Sequence, residues 1–229
     1  MTSLQKWGKS VRTTIPVMAG YLVLGAGFGI LLRTRGYGLG WALAMSAFIY
    51  AGSMQYVAID LLTGGASLLT TAVTTLLVNA RHLFYGISML ERYRAAGRYA
   101  PYLIFSLTDE TYSLVAARED LTGAECFRIS LLDQLYWVLG TALGSLAGAY
   151  LDFNTTGIDF SLTALFLTVF TEQWLETKDH APALIGLGVS IVCRLLFGAD
   201  SFLLPTMGGM LCCLLVLDAR RMKKGGESV

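Results

Sequence analysis

Charge is scarce in this chain: 14% of its 229 residues are Asp, Glu, Lys or Arg, and the net charge is +1. Neither a basic nor an acidic field is available to gather nucleic acid. Proline is sparser still, with 4 residues, and no stretch rich in Pro or Ser marks a linker to a separate soluble domain. Cys126, Cys193, Cys212 and Cys213 lack the paired spacing of a disulfide framework or a zinc site and read as small apolar residues. Only two histidines occur, His82 and His180, the latter in a charged connection, so no metal set and no metal cofactor is indicated. No Gly-x-x-x-x-Gly-Lys-Ser/Thr pattern is present, which excludes ATP binding in the Walker manner.

What remains is apolar. Hydrophobic residues make up 55% of the chain, in runs near 15 to 32, 41 to 62, 66 to 90, 101 to 117, 129 to 151, 160 to 175, 181 to 197 and 201 to 217. Several match the roughly 20 residues that span a bilayer as a helix. The expectation is an all-α polytopic membrane protein, one transmembrane domain over residues 1–229. Lys6, Lys9 and Arg12 precede the first run, which is longer than a signal-peptide core. It reads as a first transmembrane helix with a cytoplasmic N-terminus.

Against this background the polar residues inside the runs need a reason, because a charged side chain at membrane depth costs about 2.5 kcal/mol or more unless paired or wet. The stretch TLLVNARHLFYG places Asn79, Arg81 and His82 in the third run. On one continuous helix Asn79, His82 and Gly86 would share a face. The fourth run carries Asp109 and Glu110 at its centre, within SLTDETYSL. Two adjacent carboxylates there require a cation or a proton, and Arg81 or Arg194 can supply the cation. In the second run Gly52, Ser53 and Gln55 weaken the helix, so a break near 52 to 55 is expected. Such breaks are tolerated only where they are buried or face water. Asp133 and Gln134 open the fifth run and read as residues that cap or pair locally.

The order of signals recurs. YWVLGTALG from Tyr136 aligns with YLVLGAGFG from Tyr21 at an offset of 115, FLTVFTEQWL sets Gln173 against Gln55, and VCRLLFG sets Arg194 against Arg81. Two internal repeats of about 115 residues are expected, repeat 1 about 10–118 and repeat 2 about 128–220, with broken or re-entrant helices and the substrate site where the repeats meet. Eight full crossings would make the repeats parallel and put Arg92, Arg94 and Arg98 outside. A re-entrant second run in each half would make them inverted and put that basic loop inside.

The segments IYAGSMQYVAIDLL, VNARHLFYG and SLTDETYSL at these spacings resemble the AzlC-type family. That resemblance spans nearly the whole chain and implies the large subunit of a two-component bacterial exporter of branched-chain amino acids, with methionine as a further substrate. It also implies a small AzlD-type membrane subunit as partner and the inner membrane as location. Substrate contacts are assigned to Gly52, Ser53, Gln55, Asn79, Arg81, Gln173 and Arg194. An arginine would take the amino-acid carboxylate, a broken helix would offer backbone groups, and Phe48, Phe84 and Phe166 would accept the aliphatic tail. His82, Asp109 and Glu110 are the groups able to carry protons, which makes proton antiport the expected coupling. An intramembrane enzyme acting on a lipid or peptide, and a passive channel subunit, are the alternatives.

Overall fold

The computed structural model describes residues 3–116, 118, 120–150 and 179–226, with isolated positions between 160 and 175. All regular structure among these residues is helical. Two units pack separately, Met1–Thr163 and Ala164–Val229.

In the first unit, α1 (Ser3–Thr34) packs chiefly on α8 (Gly123–Tyr150). The two run parallel, because their contacts climb together: Lys9 pairs with Glu125 at 3.7 Å, the Tyr21 ring meets Trp137, and Gly148 lies against Ile30 and Arg33. Small residues make this seam. A Cβ on Gly25 would lie 2.9 Å from the Trp137 carbonyl oxygen, and one on Gly140 would lie 2.7 Å from that of Leu22. Gly29 against Thr141 and Gly144 against Ala26 are closer still. Backbones in direct contact gain dispersion and lose no side-chain entropy, which is how helices associate in lipid.

Between these helices the chain breaks three times. The second run is split into α2 (Leu39–Phe48) and α3 (Gly52–Thr63). The break spans Ile49 to Ala51, with Tyr50 at φ 44, three residues ahead of the expected place, so Gly52 and Ser53 open α3. Ser46 and Gln55 sit on either side of it and hydrogen-bond at 3.2 Å. In one straight helix their backbones would be about 13.5 Å apart along the axis, so the chain doubles back here as a re-entrant hairpin. Gly65, at φ 63, turns it into α4 (Leu68–Val78) and α5 (Arg81–Ala95). The third run is thus two helices, and the single face expected for Asn79, His82 and Gly86 is interrupted at Asn79 and Ala80.

A 3-10 turn at Gly97–Tyr99 leads to α6 (Ala100–Phe105) and α7 (Asp109–Ala116). This pair also doubles back. It enters where Ala96 lies against Gly123 and leaves at Arg118, which bonds Thr13 at 3.0 Å, while its midpoint Thr108 bonds Tyr21 at 2.7 Å, two turns deeper along α1. The two hairpins therefore enter from opposite ends of the α1–α8 pair. Lys6, Lys9, Arg12, Arg92, Arg94, Arg98 and Arg118 all belong to the end that α6–α7 enters, and Arg92 ties it by donating to the carbonyls of Val115 and Arg118.

This arrangement matches neither expected topology. Residues 3–116 hold two through-going segments, α1 and α4–α5, and two re-entrant hairpins, so α8 starts in the direction of α1 with the basic loop at the N-terminal end.

In the second unit α9 (Ala181–Ser201), kinked at Gly198, packs on α10 (Leu203–Gly226). Helices α1 and α9 are long and apolar enough to cross a membrane, and Leu68, Leu69, Leu83, Phe84 and Ile87 leave a broad apolar surface uncovered.

Candidate functional site

The hairpin tips meet beside the α4–α5 break, and the charged residues of the apolar runs collect there. Arg81, first residue of α5, donates from Nη1 to Asp109 Oδ2 at 2.6 Å and from Nη2 to Ser53 Oγ at 2.8 Å. It thereby joins the first turn of α3 to the first turn of α7. About a third of each charged side chain remains accessible, 35% of Arg81 and 30% of Asp109. Arg81 Nε, Asp109 Oδ1 and Asn79 Oδ1 are buried without a partner. A partly accessible ion pair with unused donors and acceptors is equipped to take a second pair of charges.

His82 turns its Nδ1 to the Asn79 carbonyl at 3.2 Å and its ring edge to Tyr85, which stacks on Tyr112 of α7 at 4.5 Å. Glu110 accepts from the Tyr21 hydroxyl at 2.6 Å. Ser53, Arg81, His82, Asp109, Glu110 and Asn79 thus come together.

Gln55 is placed differently. It is fully buried, and both ends of its amide are bonded: the nitrogen donates to Ser46, and the oxygen accepts from Trp137 Nε1 at 2.8 Å. Gly52 lies against the same indole, where a Cβ would meet Cη2 at 3.0 Å. Both hold the first hairpin to α8. Gln134 completes the attachment, donating to the Ala47 carbonyl at the hairpin tip and accepting from Tyr102 of α6. Phe48 and Phe84 are 79% and 65% exposed and line no part of the cluster. Arg194 lies in α9 with its guanidinium 5.2 Å over the Phe202 ring. Gln173 and Phe166 fall outside the described residues.

Two further residues join the cluster. Tyr21 and Asp133 are buried, and Asp133 Oδ2 accepts from Thr111 of α7 at 2.9 Å while its Oδ1 has no partner. The signal for Asp133 was a carboxylate inside the fifth apolar run. Its reading as a local cap failed because it lies in the third turn of α8, beyond reach of the helix end. Tyr21 carries no such signal, because tyrosine is ordinary in membrane helices.

No solved structure matches the chain. A Bacillus subtilis protein named as the branched-chain amino acid transport protein AzlC is 46% identical over 209 residues, covering 89% of this chain and 82% of its own length. A Helicobacter pylori membrane protein is 42% identical over 207 residues, covering 89% and 91%. The Escherichia coli inner membrane protein YgaZ is 26% identical over 222 residues, covering 90% and 87%. With relatives named as membrane proteins along nearly its full length, the chain is itself a membrane protein. The family described as AzlC protein matches residues 16–151, which include both hairpins and the whole of the charged cluster, and the chain belongs to that family.

Proposed function

We propose that this protein is a secondary transporter that exports branched-chain amino acids, with methionine as a further substrate, across the bacterial inner membrane by proton antiport. It acts without chemical change to the solute and together with a small AzlD-type membrane subunit.

The observation that carries this reading is the Arg81–Asp109 ion pair at the meeting point of two re-entrant hairpins. A zwitterionic amino acid carries the same two charges. Its carboxylate takes the Arg81 guanidinium and its ammonium takes Asp109, so one internal ion pair is replaced by two intermolecular ones. Ser53 steadies the guanidinium, and the partnerless Asp109 Oδ1 and Asn79 Oδ1 accept the remaining ammonium hydrogens. Backbone groups freed at the hairpin tips add donors near the carboxylate. Glu110 and His82, next to this pair, carry the coupling proton.

The duplication belongs to the same proposal. Its support is the register of the glycine seam, in which Gly25 and Gly29 of α1 face the turns of α8 that hold their counterparts Gly140 and Gly144. Parallel packing of α1 and α8 makes the repeats parallel, and the basic end of the first unit lies in the cytoplasm with the N-terminus.

The test is efflux of radiolabelled leucine from preloaded cells lacking their own exporters, with this chain alone and with its small partner. Saturable efflux in the co-expressing cells, lost on Arg81→Ala, supports the reading. Equal efflux from cells expressing Arg81→Ala overturns the site, and none of leucine, isoleucine, valine or methionine leaving despite confirmed insertion overturns the function.

A further inference from the structure

Glu110 and Asp133 are joined by an unbroken line of hydroxyl groups. Glu110 Oε2 lies 2.6 Å from the Tyr21 hydroxyl, which lies 2.7 Å from Thr108 Oγ1. Thr108 Oγ1 is 3.1 Å from Thr111 Oγ1, and Thr111 Oγ1 is 2.9 Å from Asp133 Oδ2. Five side chains are thus connected by four hydrogen bonds. Each bond needs one hydrogen between its oxygens, and the three hydroxyls supply three. With both carboxylates ionised, one pair of oxygens would face each other bare at hydrogen-bond distance. The fourth hydrogen has to be a carboxyl proton, held at one end or the other.

From this count we infer that Glu110 and Asp133 share a single proton through Tyr21, Thr108 and Thr111, and that Asp133 is the inner storage site of the coupling proton. The inference rests on the transport reading for its purpose but not for its geometry.

The surroundings of the two ends differ in the sense this requires. Asp133 is fully buried, with one oxygen unpartnered. The groups that face it are Tyr50 from the first hairpin tip, Tyr102 from α6 and Glu110 from α7. None is a cation, and the ion pairs among the described residues are Lys9–Glu125 and Arg81–Asp109. A buried carboxyl without a counter-charge is held neutral by the cost of removing its charge from water. Glu110 is partly accessible, faced by Tyr21 and Tyr50 and, on the α5 side, by His82 and Tyr85. It sits one residue from Asp109, whose guanidinium partner an arriving substrate would engage.

Transfer is balanced within the chain. With the shared proton on Asp133 and Glu110 ionised, the Asp133 carboxyl hydrogen passes to Thr111, that of Thr111 to Thr108, that of Thr108 to Tyr21, and that of Tyr21 to Glu110, from which it is released in a separate step. Four O–H bonds form as four break, and Asp133 is left ionised. Uptake reverses every step.

Two measurements on the purified protein with its partner subunit, reconstituted in lipid vesicles, separate this inference from the transport reading. Infrared spectroscopy near neutral pH reads the carboxylic-acid C=O stretch. The expected result is a band in the wild-type protein that is absent from the Glu110→Gln/Asp133→Asn double variant, and a wild-type protein without it, or a double variant that keeps it, overturns the shared proton. Leucine flux is then compared between exchange at equal pH and transport driven by an imposed pH gradient. Asp133→Asn and Thr111→Val are expected to lower the ratio of gradient-driven transport to equal-pH exchange at least tenfold, with Thr111→Ser restoring it. A wild-type response to the gradient in Asp133→Asn overturns its role as storage site. Should the wild-type protein move no leucine, the transport reading falls and the infrared result alone decides the proton.

Discussion

The two re-entrant hairpins are built alike and furnished in opposite ways. The buried polar side chains of α2–α3, Ser46, Ser53 and Gln55, are neutral and all hydrogen-bonded: Gln55 bonds at both ends of its amide, and Ser46 passes the contact on to Thr141 of α8 at 3.0 Å, while the Tyr50 hydroxyl at the tip has no partner. The α6–α7 hairpin brings two carboxylates to its tip, and among them and their neighbours Asp109 Oδ1, Arg81 Nε and Asp133 Oδ1 have no partner. A bonded buried network fixes one geometry, whereas unused donors and acceptors at a partly accessible ion pair suit the solute site proposed above. The first hairpin is a wall and the second is the working face.

Mutations that break this division are expected to separate transport from stability. The largest effect on flux belongs to Arg81→Ala, which removes a pair of charge-assisted hydrogen bonds. Leucine efflux should fall about 100-fold with the protein still folded. Arg81→Lys should recover little, because an ammonium cannot reach Ser53 and a carboxylate in the same planar fork. Gln55→Ala should do the reverse. It leaves Trp137 Nε1 buried and unpaired and opens a small void, at about 2–4 kcal/mol of stability, read as a lower unfolding temperature in detergent with normal flux per folded molecule. Loss of flux at unchanged stability in Gln55→Ala would erase the distinction between the hairpins.

Ser53→Ala tests the hydrogen bond by which the wall touches Arg81. Losing one hydrogen bond to a guanidinium should weaken apparent leucine affinity roughly tenfold. The smallest effect lies away from both tips, at the start of α8, where Thr122 and Glu125 form a reciprocal cap. The Thr122 N–H donates to Glu125 at 3.0 Å, and the Glu125 N–H returns to Thr122 Oγ1 at 3.4 Å. Thr122→Ala should cost about 1 kcal/mol. The Thr122 backbone and hydroxyl donors hold the partly exposed Glu125 carboxyl below its usual range. Its stabilisation is therefore present above the ordinary carboxylate range and is lost as pH falls through the lowered value, so the melting curves of variant and wild type should converge in acid.

Much of this was legible in the sequence because the relevant signals are local. Apolar runs gave the helical membrane class, and charges stranded within them gave Arg81, Asp109 and Glu110. The break positions were not legible in the same way. Gly52 drew attention to 52–55, yet the chain turns at Ile49–Ala51, where Gln134 captures the Ala47 carbonyl from 87 residues away. The break at Asn79 and Ala80 has no glycine or proline to announce it, and that at Ser106–Thr108 is stabilised by Tyr21 from a distant helix. Gln55 and Asp133 exchanged importance for the same reason. Each was judged from its neighbours in sequence, and each is decided by a partner on another element, Trp137 for the one and Thr111 for the other.

The glycine seam limits how this molecule can work as a machine. With the carbonyls of Leu22 and Ala26 seated directly on Gly140 and Gly144, turning α1 about its axis would drive side chains into backbone. The two helices are in effect one keel. In the transporter proposed above, a rocking motion that presents the Arg81–Asp109 pair to each side of the bilayer in turn would fall to the hairpins and to α4–α5, with the break at Asn79 and Ala80 as its pivot, moving against this keel.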